Sequence, residues 1–217
     1  MAMNNNVGAL FDLDGVIVDT EGIYTDFWHE IGTAIYPVGI DDFAHIIKGN
    51  TLAKILDTYF PDKVVQDDIV ARLAAHEAGM EYRLFDGVRD FLEGLRRAGI
   101  PAAIVTSSGD KKMSHLFRCI PDLRSYFDVV ITDKDVTRSK PDPEGYLIAA
   151  KAIGRDIKDC YVFEDSFSGI AAGMASGAIT IGVATTNSSF SLKGKAHAVI
   201  GSFDGFMVEG MLAVLRK

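Results

Sequence analysis

Two aspartates lie two residues apart at the end of the first apolar run of the chain. Asp12 and Asp14 follow Val7-Gly8-Ala9-Leu10-Phe11, and Gly15 comes directly after them. Side chains two apart on a strand share a face, and like charges raise each other's pKa unless a cation or hydrogen bonds offset the repulsion. Glycine permits a sharp turn here. The arrangement suits a carboxylate nucleophile with a carboxyl acid or base beside it, and therefore phosphoryl transfer through an aspartyl-phosphate.

Two later segments offer groups that bind an anion. Thr106 and Ser107 follow the apolar run Ala102-Ala103-Ile104-Val105, and a hydroxyl with free N–H groups suits a phosphate oxygen. Thr-Ser-Ser-Gly is also an ordinary loop and helix cap. Lys140, in Ser139-Lys140-Pro141-Asp142-Pro143, supplies a positive charge for a phosphoryl group or a carboxylate. Taken alone, Lys140 also fits a solvated surface lysine.

A further acidic pair follows the apolar run Tyr161-Val162-Phe163. Glu164 and Asp165 suit a hard cation with oxygen ligands, while Asp165 or Ser166 also suits the N-cap of the helix that follows. The carboxyl ends of parallel strands converge on one crevice, where four carboxylates would carry a formal charge of −4 against one lysine. We expect a divalent cation there, and Mg²⁺ fits oxygen ligands and a substrate phosphate.

Short apolar runs alternate with helix-length amphipathic segments, which predicts an α/β fold with a Rossmann-like parallel sheet flanked by helices. The predicted strands are Val7–Phe11, Pro101–Val105, Val129–Ile131, Tyr161–Phe163 and Ile179–Val183. The predicted helices of this core are Gly87–Ala98, Asp110–Cys119, Gly145–Ile153, Ser166–Ala175 and Met207–Arg216.

The alternation breaks once, because about 85 residues separate Asp14 from the next core strand. Four helices are predicted in this stretch, over Glu21–Tyr36, Asp41–Ile47, Thr51–Phe60 and Asp67–Tyr82. We therefore predict a core domain of residues 1–20 and 84–217 and a helical cap domain of residues 21–83. A cap above the aspartate pair would exclude water and select substrates, unless the insertion is only decorative.

Composition narrows the possible partners and location. The chain has 217 residues, 48% of them hydrophobic, and a net charge of −8 without basic clusters, which argues against nucleic acid as a partner. No apolar run reaches about 18 residues and no signal peptide is visible, so no membrane association is expected. Cys119 and Cys160 show no metal-ligand spacing, and we expect reduced, buried thiols in a cytoplasmic protein. A monomer is the default expectation.

The four segments that contain Asp12 and Asp14, Thr106 and Ser107, Lys140, and Glu164 and Asp165 resemble, in this order, those of the haloacid dehalogenase superfamily, closest to its β-phosphoglucomutase and sugar-phosphatase branch with a small helical cap. Three motifs are the most specific parts of the resemblance. They are Asp12-Leu13-Asp14-Gly15-Val16-Ile17-Val18-Asp19-Thr20, Ser139-Lys140-Pro141-Asp142-Pro143, and Phe163-Glu164-Asp165-Ser166 running into Gly169-Ile170-Ala171-Ala172-Gly173. The resemblance covers nearly the whole chain. It implies an enzyme that acts on a small phosphorylated substrate.

The resemblance also implies a role for each site residue. Asp12 would be the nucleophile and Asp14 the general acid, then the base. Thr106 and the Ser107 N–H would hold the phosphoryl group, and Lys140 would offset its charge. Mg²⁺ would be positioned by Asp12, the Asp14 carbonyl, Glu164 and Asp165. The dehalogenase branch, which works without Mg²⁺, would leave the last two acids unexplained.

Two reactions remain open. In a phosphatase, water attacks the aspartyl-phosphate, whereas in a mutase a hydroxyl of a bound sugar phosphate attacks it. Lys48-Gly49-Asn50-Thr51 resembles the substrate-specificity loop, so Lys48 would reach the substrate or stay an exposed lysine. Tyr24 replaces the histidine of mutases, and the mutase arginine after the Lys-Gly pair is missing, although Lys54 would be a partial substitute. We therefore predict a phosphatase of a small phosphomonoester, with a sugar phosphate as the expected substrate.

The alternatives are a β-phosphoglucomutase-type mutase, or a pyrophosphatase or nucleotide phosphatase. A non-catalytic binding protein would be expected to have lost part of the motif set. Every position of the set is intact in this chain.

Overall fold

The computed structural model describes residues 6–214 of the chain, apart from the side chain of residue 21. Within this range one parallel sheet is formed by β1 (Gly8–Phe11), β2 (Ala102–Val105), β3 (Val129–Ile131), β4 (Cys160–Glu164), β5 (Ile179–Val183) and β6 (Ala198–Ile200). The order across the sheet is β3–β2–β1–β4–β5–β6. The strand order reverses between β1 and β4, and a crevice for ligands opens at the carboxyl ends of strands at such a point. The predicted α/β fold is confirmed.

The first part of the stretch between β1 and β2, residues 21–83, contributes the helices α1 (Glu21–Glu30), α2 (Phe43–Ile46), α3 (Leu52–Tyr59) and α4 (Lys63–Ala78). A π-helical turn over Ile31–Ile35 extends α1. Apolar side chains of these helices, among them Phe27, Ile31 and Ile69, pack into a hydrophobic cluster of their own. We call residues 21–83 the helical insertion. Its status as a separate cap domain stays a prediction.

The remaining helices cover the sheet. They are α5 (Val88–Ala98), α6 (Asp110–Cys119), α7 (Glu144–Ala152), α8 (Phe167–Ser176), α9 (Ser189–Leu192) and α10 (Val208–Ala213). Separate hydrophobic clusters lie on the two faces, one containing Phe11 and Phe91 and the other Leu10 and Tyr146. No helix in residues 6–214 combines the length and the apolar character that a membrane crossing requires.

Stacked aromatic rings and strand register align the ends of the central strands. Phe11 of β1 and Phe163 of β4 are register partners, and their rings stack with centroids 4.8 Å apart. Just beyond, the Asp12 N–H donates to the Phe163 carbonyl at 3.0 Å, and the Thr106 N–H donates to the Ile131 carbonyl at 2.9 Å. The polar residues that follow β1, β2 and β4 are thereby brought to one edge of the sheet.

Several element boundaries differ from the sequence prediction, among them those of α4, which also ends four residues before the predicted Tyr82, and of α10. Helix α4 begins at Lys63, four residues before the predicted Asp67, because the Asp62 carboxylate caps it by accepting from the Val64 N–H at 2.8 Å. The predicted helix Met207–Arg216 is α10, which ends at Ala213, and residues 215 and 216 lie outside the described range.

Two further features were predicted wrongly or missed. Strand β6 was not predicted, because it is three residues long and its side chains are only half-buried, so its apolar signal is weak. Cys160 is buried as expected, but Cys119 is exposed at the end of α6. In the described residues, the two cysteines are not joined by a disulfide.

The close approach of α8 to β4 predicts a steric test of the fold. Gly169 lies against the buried Glu164 carboxylate, and a Cβ on Gly169 would overlap it. Gly169→Ala is expected to lower the free energy of unfolding by about 2 kcal/mol or more, measured by urea denaturation. Gly22→Ala is the control, because nothing lies within 4 Å of that Cβ. Equal stability of the two variants would contradict the packing described.

Candidate active site

A cleft of about 380 Å³ separates the carboxyl edge of the sheet from the helical insertion. The predicted site residues that line it are Asp12, Asp14, Lys48, Thr106, Ser107 and Asp165. Lys140 and Glu164 are not among its lining residues, because both are buried. Lys140 pairs with Asp12, and Glu164 pairs with Lys140. The structure therefore brings all the residues singled out from the sequence to one location, in two layers.

Lys140 bridges two acids in the lower layer. Its Nζ donates to Asp12 Oδ1 at 2.5 Å and to Glu164 Oε1 at 2.6 Å, and it lies 3.2 Å from the Val105 carbonyl oxygen. Burial alone would lower the pKa of Lys140, but the negative charges of Asp12 and Glu164 outweigh it and raise that pKa. Lys140 is therefore a fixed positive charge beneath Asp12, and the alternative of a solvated surface lysine is excluded.

Glu164 is fully buried and both of its carboxylate oxygens accept hydrogen bonds. Oε1 accepts from Lys140 and, at 2.7 Å, from the Tyr146 hydroxyl. Oε2 accepts from the Asp165 N–H and from the N–H and hydroxyl of Ser166. This geometry makes Glu164 the partner that fixes Lys140. Direct ligation of a metal, which stays a prediction, would compete with these donors.

The acidic residues of the site also fit a hard cation. Asp12, Glu164 and Asp165 are buried, and each offers a carboxylate oxygen within 4.8 Å of the others. Burial and the nearby Glu164 charge raise the pKa of Asp12 to about 7, although Lys140 opposes the shift. A bound cation would relieve this cost of ionising Asp12. Gly15, at φ +79°, packs its backbone against the Asp165 carboxylate, where a side chain would not fit.

Asp14 has a different basic partner, Lys112 of α6. The Lys112 Nζ lies 2.6 Å from both Asp14 carboxylate oxygens, which also accept from the Thr20 hydroxyl at 2.5 Å and the Ser108 hydroxyl at 3.0 Å. Burial alone would raise the pKa of Asp14, but the Lys112 charge and these hydrogen bonds outweigh it and lower that pKa. The resting Asp14 is thus a carboxylate, the form that can accept a proton.

The sequence analysis did not identify Lys112. A lysine in the run Asp110-Lys111-Lys112 looks like one of several solvated charges. Lys112 is nevertheless buried with Met113 and Leu116 on the stripe of α6 that faces the protein, four residues before Leu116. Helical periodicity would have placed it on that stripe, and a buried lysine requires an acidic partner.

Lys112 also connects the core to the helical insertion. Its Nζ lies 4.2 Å from the centroid of the Tyr24 ring of α1, within cation–π distance. The Tyr24 hydroxyl donates to Glu77 of α4 at 2.8 Å. Burial and the Asp14 and Glu77 charges raise the pKa of Tyr24, so this hydroxyl stays protonated. The position where mutases carry a histidine is therefore a packing partner of the lysine that holds Asp14.

The turn at Lys48 and Gly49 rests directly on the core. The Ser107 hydroxyl donates to the Gly49 carbonyl at 2.8 Å, and the Ser168 hydroxyl donates to the Lys48 carbonyl at 2.8 Å. A side chain at Gly49, at φ +78°, would overlap Ser168. The Ser107 side chain thus holds the helical insertion, which leaves its N–H for the predicted phosphate contact.

Lys54 is held away from the cleft. Its Nζ donates to the Lys140 carbonyl oxygen at 3.2 Å, and Lys54 is not among the cleft-lining residues. The sequence analysis offered Lys54 as a partial substitute for the mutase arginine, and this contact disfavours that role.

The two aspartates are expected to affect stability in opposite directions. At pH 8 both carboxyl groups are ionised. Ionised Asp12 destabilises the folded protein, because its folded pKa is raised, whereas ionised Asp14 stabilises it, because its folded pKa is lowered. In metal-free protein, Asp12→Asn should raise the melting temperature by about 3 °C or more, and Asp14→Asn should lower it by a similar amount. Differential scanning calorimetry with a chelator present measures both. Shifts of the same sign would contradict the two environments.

Comparison with known proteins identifies the family. The sequence model of the haloacid dehalogenase-like hydrolase family matches residues 8–177 of this chain. Validoxylamine A 7'-phosphate phosphatase of Streptomyces hygroscopicus subsp. limoneus is 30% identical over 85% of this chain and 88% of its own. The 6-phosphogluconate phosphatase of Escherichia coli K12 is 29% identical over 81% of both chains.

Solved structures agree in fold. A HAD hydrolase of family IA from Entamoeba histolytica has a TM-score of 0.81 at 25% identity, covering 96% of this chain and 98% of its own. A candidate β-phosphoglucomutase from Bacteroides vulgatus has a TM-score of 0.83 at 25% identity, covering 98% and 92%. The chain belongs to the haloacid dehalogenase-like hydrolases, as its motifs predict.

Proposed function

We propose that the protein is a Mg²⁺-dependent phosphatase that hydrolyses a small phosphomonoester through an aspartyl-phosphate on Asp12. The observation that carries the proposal is the separate pairing of two neighbouring aspartates. Asp12 pairs with Lys140 beneath the cleft, and Asp14 pairs with Lys112 at its side. One carboxylate is thus arranged for attack and the other for proton transfer, as a two-step transfer requires.

The relatives support hydrolysis of small phosphorylated compounds. They include phosphatases of validoxylamine A 7'-phosphate, 6-phosphogluconate, hexitol phosphates and fructose 1-phosphate. These are sugars or sugar-like alcohols, the substrate class that the sequence analysis predicts. For this chain we propose the broader class, a small phosphomonoester.

In the first step, a carboxylate oxygen of Asp12 attacks phosphorus and the bond from phosphorus to the alcohol oxygen breaks. Lys140 offsets the charge of Asp12 and of the transferring group from below. The Thr106 hydroxyl and the Ser107 N–H hold phosphoryl oxygens from the side. Asp14 gives a proton to the departing oxygen, for which it must first be protonated, because Lys112 favours its ionised form.

In the second step, Asp14 accepts a proton from water as the water oxygen attacks the phosphorus of the aspartyl-phosphate. The acyl–phosphate bond breaks, inorganic phosphate leaves, and the Asp12 carboxylate is restored. The ionised resting state of Asp14 is the form that this step needs, and Lys112, Thr20 and Ser108 hold it in place. The transfer depends chiefly on positioning and charge neutralisation.

The metal would be held by Asp12, Asp165 and the Asp14 carbonyl oxygen, with Glu164 either as a further ligand or as the anchor of Lys140. Bound Mg²⁺ would supply charge neutralisation for the attacking carboxylate and the phosphoryl oxygens. The proposed set consists of oxygen donors, which Mg²⁺ prefers.

A sugar-phosphate mutase is the second candidate. A mutase must bind a second phosphate while the sugar reorients in the site. At the end of α3 that faces the cleft, Leu52 lines the cleft where a basic residue would be needed, and Lys54 is engaged with the Lys140 carbonyl oxygen. This contact favours water over a second sugar hydroxyl as the acceptor.

The proposal predicts Mg²⁺-dependent release of phosphate from a panel of hexose phosphates, pentose phosphates, nucleotides and pyrophosphate. Asp12→Asn should reduce the rate by about a thousandfold or more, because it removes the nucleophile. Asp19→Asn is the matched control, since Asp19 is exposed and does not line the cleft. Conversion of β-glucose 1-phosphate to glucose 6-phosphate with little free phosphate would identify a mutase. Full activity of Asp12→Asn would refute the mechanism.

The contact of the Lys48-Gly49 turn with the core predicts a second kinetic effect. Gly49→Ala should lower kcat/KM by about tenfold, because the added Cβ meets Ser168 and Ser166 and holds the helical insertion away from the core. Gly39→Ala carries the same backbone penalty, at φ +69°, with nothing within 4 Å of its Cβ. Equal kcat/KM for the two variants would show that the contact of the Lys48-Gly49 turn with the core does not affect catalysis.

A further inference from the structure

The roof of the cleft is apolar, although its floor is charged. Residues of the helical insertion supply the roof from α1, α3, α4 and the end of α2. The larger apolar side chains among them are Trp28, Ile47, Leu52, Ile55, Val70 and Leu73. The phosphate-handling groups Asp12, Asp14 and Thr106 lie on the opposite side. A bound phosphomonoester would therefore direct its alcohol part at the roof.

Several polar groups of the insertion at the cleft are already engaged within it. The Tyr24 hydroxyl donates to Glu77, and the Asn50 side-chain amide donates to the Ile47 carbonyl at 2.9 Å. Thr25 and Lys48 also line the cleft. A polyhydroxylated substrate would have to place some of its hydroxyl groups against the apolar side chains of the roof, where each would lose hydrogen bonds to water.

Packing within the insertion accounts for some roof residues but not for Val70. Trp28, Ile47 and Ile55 are buried members of the hydrophobic cluster of the insertion. Val70 is 42% exposed, does not belong to that cluster, and lines the cleft. An apolar side chain at an exposed cleft position points to a ligand with apolar surface.

We propose that the substrate is a phosphomonoester whose alcohol part carries a compact apolar group, seated against Val70 and Leu52, rather than a fully hydroxylated sugar. The inference rests on the proposed phosphatase function and narrows its substrate class. Burying apolar surface against the roof would favour such a substrate, and unpaired hydroxyl groups would disfavour a sugar. The relatives named for sugar phosphates share only about a third of the sequence or less, so their substrates do not fix this one.

Two substrates of matched shape separate the classes. Glucose 6-phosphate and cyclohexylmethyl phosphate both carry a phosphorylated CH₂ group on a six-membered ring, and they differ in the ring oxygen and the hydroxyl groups. We expect kcat/KM for cyclohexylmethyl phosphate to exceed that for glucose 6-phosphate by about tenfold or more, measured as phosphate release with Mg²⁺.

A near-isosteric substitution then tests the roof itself. Val70→Thr should lower the ratio of the two kcat/KM values by about threefold, because it replaces a methyl group at the roof with a hydroxyl. Val64→Thr is the matched control on the same helix, since Val64 is 77% exposed and does not line the cleft. An equal effect of the two substitutions would overturn the assignment of the roof.

Acetyl phosphate distinguishes failure of this inference from failure of the proposed function. Its small acyl group makes its hydrolysis a report on the catalytic centre alone. If the wild type but not Asp12→Asn hydrolyses acetyl phosphate, and glucose 6-phosphate is the better of the matched pair, the substrate class is wrong and the phosphatase function stands. If none of the three compounds releases phosphate, both fall.

Discussion

Two buried lysines allow four carboxylates to share the carboxyl edge of the sheet. Lys140 lies between Asp12 and Glu164, and Lys112 lies against both oxygens of Asp14. With Asp165 included, the four acids and two lysines leave a formal charge of −2 beside the cleft. That residual charge is matched by one divalent cation, and a substrate phosphate would add to the need for it.

The same two lysines give the neighbouring aspartates opposite properties. Asp12 is costly to ionise because it is buried near Glu164, whereas Asp14 is held ionised by Lys112. Lys112 also packs on Tyr24 of the helical insertion, so the position of α1 and the charge state of Asp14 depend on one side chain. This contact links α1 of the helical insertion to the side chain that holds Asp14 ionised.

The sequence predicted the parts of the site that follow from strand order. Asp12, Thr106 and Glu164 each come at the end of an apolar run, and parallel strands bring such ends together whatever the loops do. Lys140 was identified only through its motif, since a loop lysine alone does not indicate burial. The carboxylate oxygens of Glu164 accept hydrogen bonds from Lys140, Tyr146 and Ser166. These contacts depend on side-chain directions, which the spacing of residues in the sequence does not encode.

Other features were beyond the sequence reasoning for identifiable reasons. The role of Lys112 depends on which face of α6 is buried, and its neighbour Lys111 is exposed. The position of Lys54 depends on how the helical insertion rests on the core, a long-range contact without a local signal. The apolar character of the cleft roof is likewise visible only once four helices are assembled, because each contributes one or two residues to it.

In the proposed reaction, Asp12 accepts the phosphoryl group while Asp14 remains paired with Lys112 until substrate arrives. A crystal structure of the protein with Mg²⁺ and beryllium trifluoride, a mimic of an aspartyl-phosphate, tests it most directly. We expect beryllium on an Asp12 carboxylate oxygen, with Lys140 still bound to Asp12 and Mg²⁺ on Asp12 and Asp165. Beryllium on Asp14, or Mg²⁺ bound away from Asp12, would contradict it.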